Sequence, residues 1–542
     1  MNQKSPALLK ADRERYSDGL RGTYDFIVCG GGTAGCVVAR RLAEDPSVTV
    51  LLLEAGGSDL VPSVVDSTLW MSNIQSERDW CYRAEPADSL NGRTPVLPMG
   101  KVLGGGSSIN GSIWARGHKH DYDLWAELSG DEGWSYENVL RIYRKIEDWQ
   151  GPPDPERRGQ GGLLNILQPT DPVPLVAGLI KGAEAIGIPF VEDINGAAME
   201  GEGGCGLANV LVQDGNERVS MAATYIHPFM GRPNLDVKLC AEIVSLTREG
   251  KRVTGVNFVH RGRQYTVAAS REVILSAGAI NTPKLLMLSG IGDAGKLGRH
   301  GIEVAQHLPG VGQNFQDHIL LAGCCWEYFT PEPPRNNAAE FVFYAKSRPD
   351  LPTPDLMPVL EECPFGSEIT AAEYDLPKGP SSAWTLAPGL ARPDSRGEVR
   401  LASADWRDAP LIEANFLSAQ TDLDAMVACV KMCREIGNSE FCAPYRKREL
   451  MPGNLGGAEM EAFIRDAAGT YFHESCSAKM GRDDMSVVDG KLRVYGVEGL
   501  RVADASIMPE IATGNTMAPT AIIAERAAEI LVAAHGLSPE KR

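Results

Sequence analysis

The stretch YDFIVCGGGTAGCVVARRLAEDPSVTVLLLEAG, residues 24–56, decides the fold. An apolar run of strand length enters a glycine turn, a helical run follows, and a second apolar run ends on Glu54. Gly30, Gly32 and Gly35 keep the spacing G-x-G-x-x-G. In that spacing the first glycine allows a tight turn, the second lets the backbone approach a pyrophosphate, and the third lets helix and strand pack closely. Glu54 stands about twenty residues beyond the third glycine, where a carboxylate at a strand end accepts hydrogen bonds from a ribose diol. It would repel a phosphate on that ribose, which argues against NADP. Glycine turns also arise for steric reasons alone, but strand, helix and acid together favour a dinucleotide. NAD and FAD fit this stretch equally.

Working outward, 542 residues hold more than one core, yet no low-complexity linker divides them, so two interleaved domains are expected. The composition, 43% hydrophobic and 23% charged, is that of a globular chain. A formal net charge of −18 disfavours nucleic acid and anionic membrane surfaces, which it would repel. No run approaches the length of a membrane span. The first residues, MNQKSPALLKADRERYSDGLRG, lack the apolar core of a secretory signal and read as an arm ahead of the first strand. Twelve cysteines give neither a disulfide framework nor, at Cys324/Cys325 and Cys429/Cys433, a zinc pattern. Buried thiols in a reducing cytoplasm are the expectation, with no metal.

The run GKVLGGGSSINGSIWARG, residues 100–117, reads as a loop of close backbone approach. LDVKLCAEIVSLTREGKRVTGVNFVHRG alternates like two or three strands of a meander. REVILSAGAINTPKLLMLSGIG reads as a strand, a turn and a helix with Pro283 near its first turn. Proline-rich irregular segments then dominate residues 325–465, and GLRVADASIMPEIATGNTMAPTAIIAERAAEIL supplies a last strand, a loop and a closing helix. The fold class expected is α/β, mixed with α+β. A Rossmann-like region over 24–320 holds most of the cofactor domain. A cap over 325–465, built on an antiparallel sheet and helices, holds the substrate. Residues 466–532 return to the cofactor domain.

Three later segments answer which dinucleotide. GKVLGGGSSINGSIWARGHKHDYD, GAINTPKLLMLSGIG and GVGQNFQDH, with the terminal strand, loop and helix, resemble the glucose-methanol-choline (GMC) family of FAD-dependent oxidoreductases over residues 24–532. The resemblance implies FAD. It implies that Gly30, Gly32, Thr33, Ala34 and Gly35 face the pyrophosphate and that Glu54 and Ala55 face the adenosine ribose. Val102, Asn110, Gly111, Ser112 and Ile113 would line the isoalloxazine and ribityl chain, and the backbone of Ile243 would meet adenine. Simple strand packing is an equal reading of Ile243 and Val102. Asp504 and Ala505 would lie beside the ribityl and pyrophosphate, with Asn515 and Thr516 near the pyrimidine end. Ile109 occupies the place where some choline oxidases carry a flavin-linked His, so the FAD is expected to be noncovalent.

Oxidising an alcohol requires loss of its hydroxyl proton, so a positioned base is needed. YFHESCSAKMG places His473 in a segment similar to the family's base-bearing motif, and Asn515, in TGNTMAPT, matches the second catalytic position. An amide cannot take a proton, which leaves His473 as base and Asn515 as orienter of the hydroxyl. Asn515 also reads as a helix cap. His118, His120 and His318 read as structural or solvated, and a cap carboxylate such as Glu340 is the next candidate base. Cys476 and Glu474 depart from the Gly and Pro that most relatives carry. The expected reaction is oxidation of a primary alcohol to an aldehyde by hydride transfer to flavin N5, with oxygen or another acceptor. The sequence looks nearest to pyridoxine, hydroxymethylfurfural and choline-type enzymes, although Tyr471 and Phe472 replace the histidine pair before the base of the pyridoxine enzyme. Two other classes are weighed: an FAD-retaining lyase of the hydroxynitrile type, and a nicotinamide dehydrogenase, for which no second domain is found. The sequence fixes neither the oligomeric state nor the alcohol.

Overall fold

The computed structural model describes residues 19–213 and 215–540. The arm expected ahead of the first strand lies, up to residue 18, outside them. Two sheets organise the chain. In the first, β1 (Thr23–Cys29), α1 (Thr33–Ala43) and β2 (Val50–Leu53) form the βαβ unit read from the opening stretch. β1 lies between β2 and the strand Arg263–Leu275, parallel to both. Leu235–Lys238 pairs parallel outside β2, and Leu500–Val502 pairs parallel with the end of Arg263–Leu275. These strands are nearly all apolar because both faces of a parallel sheet are covered.

The expected meander is divided. Leu235–Lys238 joins the parallel strands, whereas Ala241–Glu249, Arg252–His260 and Arg263–Leu275 form the antiparallel flank. The closing helix, Met517–His535, packs on α1. A buried ion pair ties the two: Arg41 donates to both oxygens of Glu525 at 2.9 and 3.0 Å, and the Tyr225 hydroxyl adds a bond at 2.9 Å.

The second sheet is antiparallel, in the order Arg446–Met451, Cys325–Tyr328, Ala383–Ala387, Val359–Glu361, Phe341–Tyr344, Gly204–Leu207. Its last strand comes from well before residue 325. Helices Leu175–Ala185 and Gln420–Gly437 pack together beside it, and Trp326 and Trp384 stack at its centre with ring centroids 4.4 Å apart.

Pro283 lies inside the helix Gly278–Leu288, beyond its first turn. A proline there removes the donor to the carbonyl four residues back. That carbonyl, Ala279 O, receives the Ser477 hydroxyl instead. Pro519, by contrast, falls in the first turn of the closing helix, where its missing N–H costs nothing.

Candidate active site

The three glycines of the opening turn act differently. Gly30 has φ +105°, and a Cβ there would lie 2.4 Å from Ser276 O. A Cβ on Gly35 would lie 1.8 Å from Gly30 O. Both are packing requirements, while Gly32 is open except toward Gly105 of the second glycine loop, which closes over it as expected. Glu54 closes the turn from the other side. Its Oε2 accepts the Gly31 N–H and its Oε1 the Gly56 N–H, each at 2.7 Å. Burial nevertheless pushes this carboxyl up to about 7.

A single cleft runs from this turn to His473. Gly30, Gly32, Thr33, Ala34, Glu54 and Ala55 line one end, with Ile243 beside them. Ile109, Asn110, Gly111, Ile113, Asp504 and Ala505 line its course, and His473, Asn515 and Thr516 the other end. Three residues expected at the cofactor stand behind the wall. Gly35 is pressed on the Gly30 carbonyl. Val102 is buried in a cluster with Val64 and Ile109. Ser112 accepts a hydrogen bond from Arg218 through its hydroxyl, at 2.9 Å. Spacing in a loop does not reveal which side chains turn inward, and those of Val102 and Ser112 turn away. Asp504 uses its carboxylate to fasten the helix Gly278–Leu288, accepting from Gly278 N–H at 2.9 Å and the Thr282 hydroxyl at 2.6 Å. Among the described residues no group of three or more His, Cys, Asp or Glu is placed to hold a metal.

His473 is buried and held on every side. Its backbone N–H donates to Asp317 Oδ1 at 3.0 Å, and Tyr471 stacks on its ring with centroids 4.8 Å apart. Asn515 Nδ2 lies 3.2 Å from His473 Nε2, and His318 Nδ1 lies 2.9 Å from His473 Nδ1. These two contacts fix the tautomers. An amide nitrogen only donates, so Nε2 of His473 accepts. The neutral ring then carries its proton on Nδ1 and donates it to His318 Nδ1, which leaves the proton of His318 on Nε2. Burial holds His473 well below the usual histidine range, and burial pushes His318 down to about 3. Both rings are therefore neutral, and the single lone pair of His473 Nε2 accepts the Asn515 amide at the end of the cleft.

His318, read from the sequence as structural or solvated, is buried against His473. It arrives because Ile319–Leu321 pairs antiparallel with Ala468–Thr470. Its one signal was its place at the end of GVGQNFQDH. His118, in contrast, caps the helix Lys119–Ser129 by accepting the His120 N–H. Asn515 is not the cap of the closing helix; Thr516 holds that position without a side-chain bond, which leaves the helix N–H groups facing the cleft. Glu340 does not line the cleft, since its carboxylate accepts from Val173 N–H and from the Asn336 amide. Cys476 keeps the turn behind His473 in the left-handed region, with φ +69°, where glycine is favoured.

Residues 24–320 match the N-terminal part, and residues 393–524 the C-terminal part, of the GMC oxidoreductase family. The chain belongs to the GMC oxidoreductase family. The mitochondrial choline dehydrogenase of Mus musculus is 38% identical over 94% of this chain and 89% of its own length. An alcohol dehydrogenase [acceptor] of Pseudomonas putida is 36% identical over 94% and 96%. In structure the chain is similar to pyridoxine 4-oxidase from "Mesorbium loti", with a TM-score of 0.88, 32% identity, and 93% and 98% of the two chains covered. This GMC protein is thus an oxidoreductase acting on CH–OH donors, with FAD as its cofactor. The cleft suits that cofactor: a glycine turn and a buried carboxylate stand at one end, and uncapped helix N–H groups at the other. These relatives are oxidoreductases by name, and the lyase alternative has no support from them. Among the described residues no helix is long and apolar enough to cross a membrane.

Proposed function

We propose that the protein oxidises a primary alcohol to an aldehyde, with His473 as general base and Asn515 as orienter of the hydroxyl. The observation that carries this reading is the contact of His473 Nε2 with the Asn515 amide, 3.2 Å apart, at one end of the cleft. Bound FAD supplies the two-electron acceptor for the hydrogen leaving the carbinol carbon, and oxygen or another oxidant reoxidises it.

The residues of the chain do the rest. Gly32, Thr33 and Ala34 hold the pyrophosphate, Glu54 and Ala55 the ribose, and Ile243 the adenine. Asn110, Gly111, Ile113, Asp504, Ala505 and Thr516 flank the remainder of the cofactor. The helix N-terminus at Met517 favours negative charge at the catalytic end. The substrate hydroxyl takes the place of the Asn515 amide at His473 Nε2, donating to that nitrogen, and Asn515 donates to its oxygen instead. As the proton passes to Nε2, the Nδ1–H of the resulting imidazolium strengthens its bond to His318. Ile109 offers no nucleophile to the cofactor, so acid precipitation should release the yellow chromophore; colour kept in the pellet would contradict noncovalent binding.

His473→Ala tests the base. Anaerobic flavin reduction should slow by about 10² to 10⁴, the usual contribution of a general base. Asn515→Ala should cost less, because it removes a hydrogen bond and no proton acceptor. A His473→Ala protein that reduces its flavin within about twofold of wild type sinks the assignment.

A further inference from the structure

Glu361 is a buried carboxylate on the cleft that the reaction above leaves without a task. It sits on the strand Val359–Glu361, whose first and last residues share the face toward the cleft. The next residue, Glu362, turns the other way and accepts the Arg335 N–H at 2.8 Å. Glu361 has no such partner: among the described residues its carboxylate takes part in no hydrogen bond or ion pair, although the residue is only 6% exposed. Around it the cleft is lined by Leu320, Ala339, Val359 and Tyr471, none of them cationic. Burial alone pushes its carboxyl up to about 8. A buried, unpaired carboxyl is costly to the fold, and it faces the space beside Tyr471, the ring stacked on the catalytic histidine.

We propose that Glu361 recognises a positively charged nitrogen bearing N–H, so that the substrate is an alcohol carrying a protonated amine or pyridinium group. This deepens the reading above and rests on it for the hydroxyl end. Two features select the ligand. Once ionised, Glu361 offers two unpartnered oxygens in an apolar wall, and a cation with N–H donors both bonds them and balances the charge; a quaternary ammonium leaves them bare. A metal ion is unsuited, because the neighbours are hydrocarbon and hard cations require several oxygens. Tyr471, with Trp70 and Phe472 on the same cleft, adds aromatic faces that attract a cation.

The test uses FAD-loaded wild type and Glu361→Gln, whose amide keeps the shape and loses the charge. The substrates are paired: 4-aminobutan-1-ol against pentan-1-ol, and 4-(hydroxymethyl)pyridine against benzyl alcohol, with choline against 3,3-dimethylbutan-1-ol as the quaternary pair. The expected result is a preference of roughly tenfold to a hundredfold in KM, with little change in kcat, for at least one N–H-bearing alcohol over its carbon analogue. The pair that shows it tells aliphatic aminium from pyridinium. Glu361→Gln should abolish the preference and leave the neutral alcohols unaffected.

Binding of butylammonium, followed by flavin absorbance without turnover, should weaken by the same factor in the variant. Equal use of both members of the first two pairs by wild type, or a preference that survives in Glu361→Gln, overturns the proposal, as does a Glu361-dependent preference confined to choline. Neutral alcohols that reduce the flavin through His473 with no preference would leave the function standing and remove only this inference. Glu361-dependent butylammonium binding without reduction by any alcohol would do the reverse.

Discussion

Replacing His318 with Ala isolates the hydrogen bond behind the base. His318 Nδ1 lies 2.9 Å from His473 Nδ1 and does not line the cleft, so the substitution spares both substrate and cofactor contacts. In the resting enzyme this bond is neutral and worth about 0.5–1.5 kcal/mol. Once His473 holds the alcohol's proton the donor is charged, and the bond is worth about 1.5–3 kcal/mol. The difference, together with loss of the single tautomer that keeps Nε2 free, should slow anaerobic flavin reduction roughly tenfold to a hundredfold. That is less than removal of the base itself.

The pH profile supplies a second readout. Burial holds His473 well below its ordinary value, so the wild-type rate on a neutral alcohol should be flat from pH 8 down to below 6.5. His318 is neutral and accepts the Nδ1–H, so it favours the imidazolium, and the pKa of His473 does not rise without it. The variant should therefore keep a flat profile at a lower plateau; a falling limb toward about 6.5, the unperturbed histidine value, would contradict this placement of His318. His318→Asn, whose side-chain oxygen reaches the place of Nδ1, should recover part of the rate. Stopped-flow reduction across pH measures all three proteins. An alanine variant within about twofold of wild type refutes the reasoning.

Glu54→Ala should weaken FAD binding roughly tenfold to a hundredfold while the FAD-loaded fraction keeps its turnover. Because Glu54 also accepts the Gly31 and Gly56 N–H groups, the apoprotein should lose about 1–3 kcal/mol for each orphaned donor, measured by denaturant unfolding. Full FAD occupancy with collapsed turnover would contradict its placement. At Cys476, φ +69° and tight burial oppose one another, so Cys476→Gly should change stability by no more than about 1 kcal/mol. Cys476→Val, β-branched in the left-handed region, should cost more than about 2 kcal/mol and slow flavin reduction; an unaffected valine variant would show that the turn is not constrained.

Local chemistry was legible in the sequence, and long-range pairing was not. The βαβ unit and Glu54 were readable because a turn, a helix and a strand end are set within thirty or so residues. His473 and Asn515 were readable from the short motifs around them. His318 was not, because its meeting with His473 depends on Ile319–Leu321 pairing with Ala468–Thr470, a contact that no local period announces. The same limit hid the strand Gly204–Leu207, which joins a sheet whose other members all follow residue 324. Side-chain direction in loops was the other gap. Val102 and Ser112 were read into the cleft and face away from it, and Glu361, on a three-residue strand, was not read at all. Pro283 looked like a helix start because the hydroxyl that accommodates it, on Ser477, comes from far along the chain.

The interleaving of the two sheets constrains how the enzyme is made. The first sheet waits for Leu500–Val502, and the second is bounded by strands at Gly204–Leu207 and Arg446–Met451. The catalytic end of the cleft is lined by Asn515, Thr516, Met517 and Thr520, near the end of the chain. A ribosome therefore releases everything up to Thr520 before the cofactor's chamber has all its walls. Most of the glycine-rich floor is synthesised hundreds of residues earlier and stays open in the meantime. Flavin capture is a late event, and any nascent chain stalled before the closing helix presents an unfinished apolar cleft to its surroundings.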